Sequence, residues 1–296
     1  MRLLVSALII LWLQLFWALV PAWRHGEYYE YGWFVPVLAL GLAWRRWRMV
    51  GAGEEAGLAA GPGRVGWWAA GCVVAVVLVA PLRLVAAADP GWRPPLVAHA
   101  AVVCGVTVVV VGRVWGWPVL RSLLWVIVFA LSAVPWLGQV EHALVHRLTG
   151  WVVALAREAF LLAGRPVELL GDRLRLGSDV VEITGGCSGI RSLQSLVMVA
   201  LFFGELLLLT AGRRLALVAV AGACAVAFNT ARAVWLAHVH FSHGKEAAAA
   251  SHDLIGNTCF LAGAAALFLA ARWMAERRRG TVVVRRSKGL TQLRHF

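Results

Sequence analysis

Charge is scarce in this chain. Of its 296 residues, 15% are Asp, Glu, Lys or Arg, where a soluble domain carries about 25%. Lysine is nearly missing, with 2 residues against 26 arginines. Apolar residues make up 61% of the chain and mean hydropathy is +0.76. No single water-soluble core can bury that much apolar surface, so an ordinary soluble domain is excluded and lipid becomes the natural solvent. Paired thiols are missing too. The five cysteines, Cys72, Cys104, Cys187, Cys224 and Cys259, show no Cys-x-x-Cys spacing and belong to no small secreted domain, which argues against a disulfide framework. No His-Glu-x-x-His occurs, and the glycine-rich stretches lack the strand–loop–helix setting of a phosphate loop. Neither a metal nor another cofactor is expected.

What is present is arginine, tryptophan and long apolar runs. The net charge of +13 would suggest nucleic acid in a soluble protein. Here the cations are scattered among apolar segments and form no single basic face, so no nucleic-acid partner is expected. They read instead as anchors against anionic headgroups, with the lipid bilayer as partner. The 16 tryptophans suit interfacial belts and helix contacts.

A helix needs about 20 mostly apolar residues to cross the hydrocarbon. Segments 3–21, 32–47, 65–86, 96–113, 119–138, 189–211, 214–239 and 253–274 meet that need, which predicts an all-α polytopic membrane protein with about eight transmembrane helices. Arg2, a long apolar stretch and Val20-Pro21-Ala22 resemble a secretory signal, but the run is long enough to span and reads as a retained first helix. The positive-inside rule puts the N-terminus in the cytoplasm, with Arg45, Arg46, Arg48, Arg64, Arg113, Arg121, Arg213 and Arg214 in inner loops. Arg277, Arg278, Arg279, Arg285, Arg286, Lys288 and Arg294 form a cytoplasmic tail. Residues 1–276 are thus expected to form one integral membrane domain and 277–296 a basic tail. The loop 51–65 and that tail are expected to be poorly ordered. The outer loops hold most of the acids, including Glu27, Glu30, Asp89, Glu168, Asp172, Asp179 and Glu182. Before the sixth span, 139–163 carries Glu141, His142, His146, Arg147, Arg157 and Glu158 and reads as an outer amphipathic helix. Short apolar alternations over 166–183, broken by Gly171-Asp172 and Gly177-Ser178-Asp179, predict a small β-hairpin-like element.

Three polar islands fall on the same side. Gly185-Gly186-Cys187-Ser188-Gly189-Ile190-Arg191 precedes the sixth span, where a helix N-terminus favours a thiolate and Arg191, four residues on, is expected one turn below. Asn229-Thr230-Ala231-Arg232 lies in the outer half of the seventh span, and Asn229 and Arg232 share a face. An arginine inside a span is costly and points into the bundle or a wet cavity. Ser251-His252-Asp253-Leu254-Ile255-Gly256 opens the eighth span, with Ser251 as the expected N-cap and Gly256 admitting a close backbone approach. A cysteine, an arginine and a histidine together supply a nucleophile, a cationic stabiliser and an acid/base. Two rival sets exist. His238, His240, His243 and His252 with Asp253 offer metal-ligand chemistry at poor spacing. Glu205, a carboxylate within the sixth span, raises a transporter reading unless Arg213 or Arg214 neutralises it.

The islands resemble the exosortase/archaeosortase family, whose pattern is Cys-Ser-Gly, then Asn-x-x-Arg, then His-x-x-x-Gly. Here these are Cys187-Ser188-Gly189, Asn229-Thr230-Ala231-Arg232 and His252-Asp253-Leu254-Ile255-Gly256, in the family's order. Tyr31-Gly32-Trp33-Phe34-Val35-Pro36 followed by Trp44-Arg45-Arg46 is a fainter echo, with Tyr31 where members often have His. The resemblance implies a membrane cysteine transpeptidase or endopeptidase of C-terminal protein sorting. Cys187 is then the nucleophile, Arg232 and His252 complete the catalytic set, and Ser188, Gly189, Arg191, Asn229, Asp253 and Gly256 support it or bind substrate. The implied partners are exported proteins ending in a motif, a transmembrane stretch and a basic tail, as in PEP-CTERM proteins, together with an acceptor nucleophile of unknown identity. The implied place is the cytoplasmic (inner) membrane, with the active site on the outer face. The alternatives are a multi-pass transporter and a non-catalytic assembly factor for export of exopolysaccharide or surface protein.

Overall fold

The computed structural model describes residues 2–26, 28–50, 62–171, 173–182 and 189–292. Among these residues the chain is almost wholly helical and divides into two compact units, Met1–Ala143 and Leu144–Phe296.

The first unit opens with α1 (Arg2–His25), a short 3-10 helix (Glu30–Trp33), α2 (Val35–Val50) and α3 (Pro62–Leu78), then α4 (Ala80–Ala88), α5 (Pro94–Val114) and α6 (Trp117–Leu131). Apolar spacing along α1 puts Leu4, Leu11, Leu15 and Leu19 on one fully buried face. Leu4 meets Cys72, Val110, Val111, Val114 and Trp115, which ties α1, α3 and α5 together. The Trp12 indole donates to the Thr107 hydroxyl at 3.1 Å, satisfying a polar group in the middle of the bundle. Val20-Pro21-Ala22 stays inside α1, and Trp23 just beyond donates to the Ala133 carbonyl at 3.0 Å. Prolines open α4, α5 and α6 at their first two positions, where a missing N–H costs nothing. Pro81 also explains why the segment expected as one helix over 65–86 is divided between α3 and α4, since proline cannot donate to the preceding turn.

The second unit is built on α8 (Ile190–Leu206), α9 (Ala211–His243) and α10 (Lys245–Gln292). Buried residues recur every fourth position on α9, at Leu217, Ala221, Ala225, Asn229, Ala233 and Ala237. A matching ladder on α10 runs through Ile255, Cys259, Gly263, Leu267 and Ala271. In lipid no hydrophobic force drives helices together, so small residues that let backbones approach closely define the interface. Gly263 illustrates this: a side chain there would meet the Phe228 ring at 3.2 Å. The two helices form an antiparallel hairpin around Gly244, whose φ of +87° suits glycine. At its far end Arg213 donates to the Met274 carbonyl at 2.7 Å. α10 continues without a break into the basic tail, to Gln292.

The remainder of the second unit covers part of α9. The stretch 139–163 is the helix α7 (Gly138–Leu162), which begins in the first unit and whose later residues Val152, Val153, Ala156 and Phe160 pack with Ala233 and Ala237. Within the 166–183 stretch the described residues form a three-stranded antiparallel sheet of β1 (Glu168–Leu170), β2 (Arg173–Leu176) and β3 (Asp179–Glu182), in the order β1-β2-β3. Leu174, at the centre of the register opposite Leu169 and Val181, points into the same cluster.

Five helical segments among the described residues are long and apolar enough to cross a membrane: Leu3–His25, Gly66–Ala88 (α3 and α4 taken together), Pro94–Val114, Ala211–His243 and Lys245–Arg277. α6 is apolar but has 15 residues, and α2 and α8 have 16 and 17. At 1.5 Å per residue these three are shorter than the roughly 30 Å hydrocarbon layer.

Candidate active site

Three of the expected elements meet at one end of the α8–α9–α10 bundle. Gly189 caps α8 in the left-handed region, at φ +85°, and is buried. A Cβ at this position would stand 2.8 Å from the Asn229 side chain, so glycine is required twice over, by its backbone and by its neighbour. Asn229 is 3% exposed and sits in the alanine ladder of α9 as its polar rung. This contact fixes the start of α8 against the middle of α9.

Arg232 lies one turn further along α9. Its NH2 group is 2.8 Å from Nε2 of His252 on α10, and His252 Nδ1 is 3.0 Å from Oδ1 of Asp253. These contacts define the tautomer. A guanidinium has donors and no acceptor, so Nε2 must present its lone pair to Arg232. The ring proton then sits on Nδ1 and is donated to the Asp253 carboxylate. The His252 side chain is 45% exposed and that of Asp253 96%, so the arrangement opens to solvent at its far end. Gly256 makes it possible: a Cβ there would lie 3.2 Å from Arg232 Nε, so the bare α10 backbone gives the guanidinium a place to lie flat. The close approach expected at Gly256 is therefore made by a side chain, not by another backbone.

Beneath Arg232 is a cleft lined by Ser192, Leu196, Asn229, Gly256, Cys259 and Phe260, among others. Its free volume of about 10 Å³ is room for about one water molecule. Arg232 Nε is buried without a hydrogen-bond partner among the described residues. A donor in that position has a net preference for an oxygen acceptor of about 1–3 kcal/mol over remaining bare.

Other expectations come out differently. Ser251 does not cap a helix, because α10 begins at Lys245 and the Ala247–Ala250 run, the strongest helix-forming residue in series, carries it through 251. His252 thus projects from within a helix rather than from its first residue. Arg191 is exposed in the first turn of α8. Gly185, Gly186, Cys187 and Ser188 lie outside the described residues. Glu205 is 1% exposed and paired with Arg214, which also donates to the Leu209 carbonyl at 2.7 Å. Its charge is thus neutralised locally. His238 contacts Arg165 at 3.3 Å, and His240 stacks edge-on against Phe241. Tyr31 is a core residue of the first unit, donating to the Ser132 carbonyl at 2.8 Å.

Sequence reasoning missed Cys259 and Ser192 as cleft residues. Cys259 was indistinguishable from an inert apolar thiol, yet it lies seven residues after His252 and three after Gly256, on the same helix face. That spacing was the available signal. Ser192 offered none, since its meeting with α9 and α10 is set by tertiary packing.

No curated protein and no solved structure matches this chain. The model of one family, transmembrane exosortase (Exosortase_EpsH), matches residues 23–269. That range takes in most of both units and all three polar islands, so the chain is a member of the transmembrane exosortase family.

Proposed function

We propose that this chain is a membrane-embedded cysteine transpeptidase that cleaves a C-terminal sorting signal from exported proteins and transfers them to an acceptor nucleophile. Family membership supports the coarse reading of a membrane transpeptidase. The observation that carries the finer one is the cross-helix pair of Arg232 and His252, which α9 and α10 bring within 2.8 Å beside the helix that follows Cys187-Ser188-Gly189. The catalytic set is Cys187, Arg232 and His252, supported by Ser188, Gly189, Arg191, Asn229, Asp253 and Gly256. Residues 1–276 form the membrane domain and 277–296 a cytoplasmic tail. The arginine distribution favours an inner-membrane protein with both termini inside and the site at the outer face.

In the proposed reaction the Cys187 thiol gives its proton to His252 Nε2 as its sulfur bonds to the scissile carbonyl carbon. The carbonyl π electrons move to oxygen, where Arg232 stabilises the negative charge. When the tetrahedral centre collapses, the C–N bond breaks and the Nε2 proton passes to the departing amine. An acceptor amine or hydroxyl, or water, then attacks the thioester, giving its proton to His252, and the thiol is restored. Limited water access near the bilayer favours transfer over hydrolysis.

The test is processing of a matched C-terminal substrate by single and double variants at equal membrane abundance. Cys187→Ala is expected to abolish cleavage. Arg232→Lys is expected to fail badly, because the planar multi-donor head is lost. Doubles within the set should cost little more than the worst single. Full activity of Cys187→Ala would overturn the assignment.

A further inference from the structure

Nε2 is the atom through which His252 would act as a base, and in this structure it is already occupied. Arg232 donates to it at 2.8 Å, while Asp253 takes the proton on Nδ1 at 3.0 Å. A lone pair engaged by a cationic donor cannot accept a thiol proton until the donor leaves. Arg232 also has somewhere to go, since its buried Nε has no partner among the described residues and its side chain lines the small cleft together with Ser192 and Cys259. An oxygen bound there would accept from Nε–H, and the shift of the rigid guanidinium toward it would draw NH2 away from His252.

We propose that Arg232 is a latch on His252: it caps the base in the resting enzyme and releases it when a substrate carbonyl oxygen draws the guanidinium away, while Asp253 is the positioning residue that holds the ring in its Nδ1–H tautomer. The latch keeps the base idle in the absence of substrate, so a thiolate is not formed for oxidants to consume. It also divides the roles of the two side chains by time. Arg232 binds oxygen first, and His252 takes the proton only afterwards. Gly256 belongs to the device, because a methyl group 3.2 Å from Arg232 Nε would make the guanidinium shift by a few tenths of an ångström and strain its bond to His252. The purpose of the latch rests on the transpeptidase reading, but its existence is measurable without any substrate.

Diethyl pyrocarbonate acylates unprotonated imidazole nitrogens and reports whether Nε2 is free. The full-length protein in detergent micelles is treated with it, and modification is followed by mass spectrometry at His252 and at the exposed His243, the last residue of α9. Although the His252 side chain is 45% exposed, it should react about tenfold more slowly than His243, the cost of opening one charge-assisted hydrogen bond. Arg232→Met should bring it to the His243 rate. Gly256→Ala should raise it by a smaller amount with the arginine still present, and unchanged helical circular dichroism shows that the fold is kept. Asp253→Ala should raise it about threefold, and Asp253→Asn, whose amide oxygen still accepts from Nδ1–H, should restore the slow rate. Equal rates at His252 and His243 in the unaltered protein, or no acceleration in Arg232→Met, would overturn the latch. No change in Asp253→Ala would remove Asp253 from it. Active Cys187→Ala would instead overturn the transpeptidase reading and leave the cap intact.

Discussion

Among the described residues each unit of the chain holds a cluster of polar side chains drawn from separate segments, and the two clusters are finished to different degrees. In the first, the Tyr29 hydroxyl donates to the Glu141 carboxylate and accepts from the Trp136 amide at 2.9 Å. Arg93 bonds Glu141 at 2.6 Å and the Trp136 carbonyl at 2.9 Å, with its guanidinium over the Tyr29 ring at 5.3 Å. The Glu141 side chain is 6% exposed. Charge is matched by charge, and the main polar atoms point at one another. In the second, Arg232, His252 and Asp253 form an open chain with a solvent-exposed end and a buried nitrogen that has no partner among the described residues. A saturated cluster braces a fold, because any change must break something. An unsaturated one can accept a ligand, because something is still to be gained. The Glu205–Arg214 pair shows that the distinction is not between units: it lies in the second unit and is as buried and as paired as the first unit's cluster.

The largest expected effect sharpens this contrast. His252→Ala should lower substrate processing by about 10²–10⁴-fold and leave thermal stability within about 0.5 kcal/mol, followed by tryptophan fluorescence in detergent. Loss of stability in parallel with activity would make the second cluster a brace like the first. Conversely, Glu141→Gln should cost about 3 kcal/mol of stability, because a buried partner is removed from Arg93. Any fall in processing should then follow the amount of folded protein. Tyr29→Phe removes one hydrogen-bonding hydroxyl and should cost about 1–2 kcal/mol.

The smallest effect is spectroscopic. Burial first, then the hydrogen bond to Glu141, holds the Tyr29 phenol well above its ordinary value near 10, and burial followed by the proximity of Tyr29 does the same for Tyr31. A phenol raised in the folded state contributes stability that is complete below about pH 10 and is lost as pH climbs through the folded value. The chain has only 3 tyrosines, Tyr28, Tyr29 and Tyr31, so tyrosinate absorbance is easily read. Most of it should appear well above pH 10, together with unfolding. Full ionisation near pH 10 in folded protein would break the picture of a sealed cluster.

Legibility in the sequence followed the range of the interaction. The helical membrane character was plain because each apolar run carries its own signal, and the order of the three islands was plain because each is contiguous. The ladder of small residues on α9 was also there to be read, at a strict spacing of four from Leu217 to Ala237. Element ends were harder. α10 begins several residues before its expected start because alanine extends a helix past the point where the apolar run begins. The Tyr29 cluster left no trace at all: Glu141 read only as one charge on an amphipathic helix, and its partners are 112 and 48 residues away.

By itself the sequence determined the solvent and the reactive groups. A chain this apolar must fold in lipid as helices, and an arginine within a span must find a polar setting. Tertiary structure alone decided which atoms meet. Arg232 and His252 are 20 residues apart and on different helices, and only the hairpin around Gly244 brings a guanidinium nitrogen within 2.8 Å of one imidazole nitrogen rather than the other. That choice assigns the ring proton to Nδ1 and leaves Nε2 capped. Donor and acceptor directions are properties of positioned atoms, and residue order carries no information about them until the helices are packed.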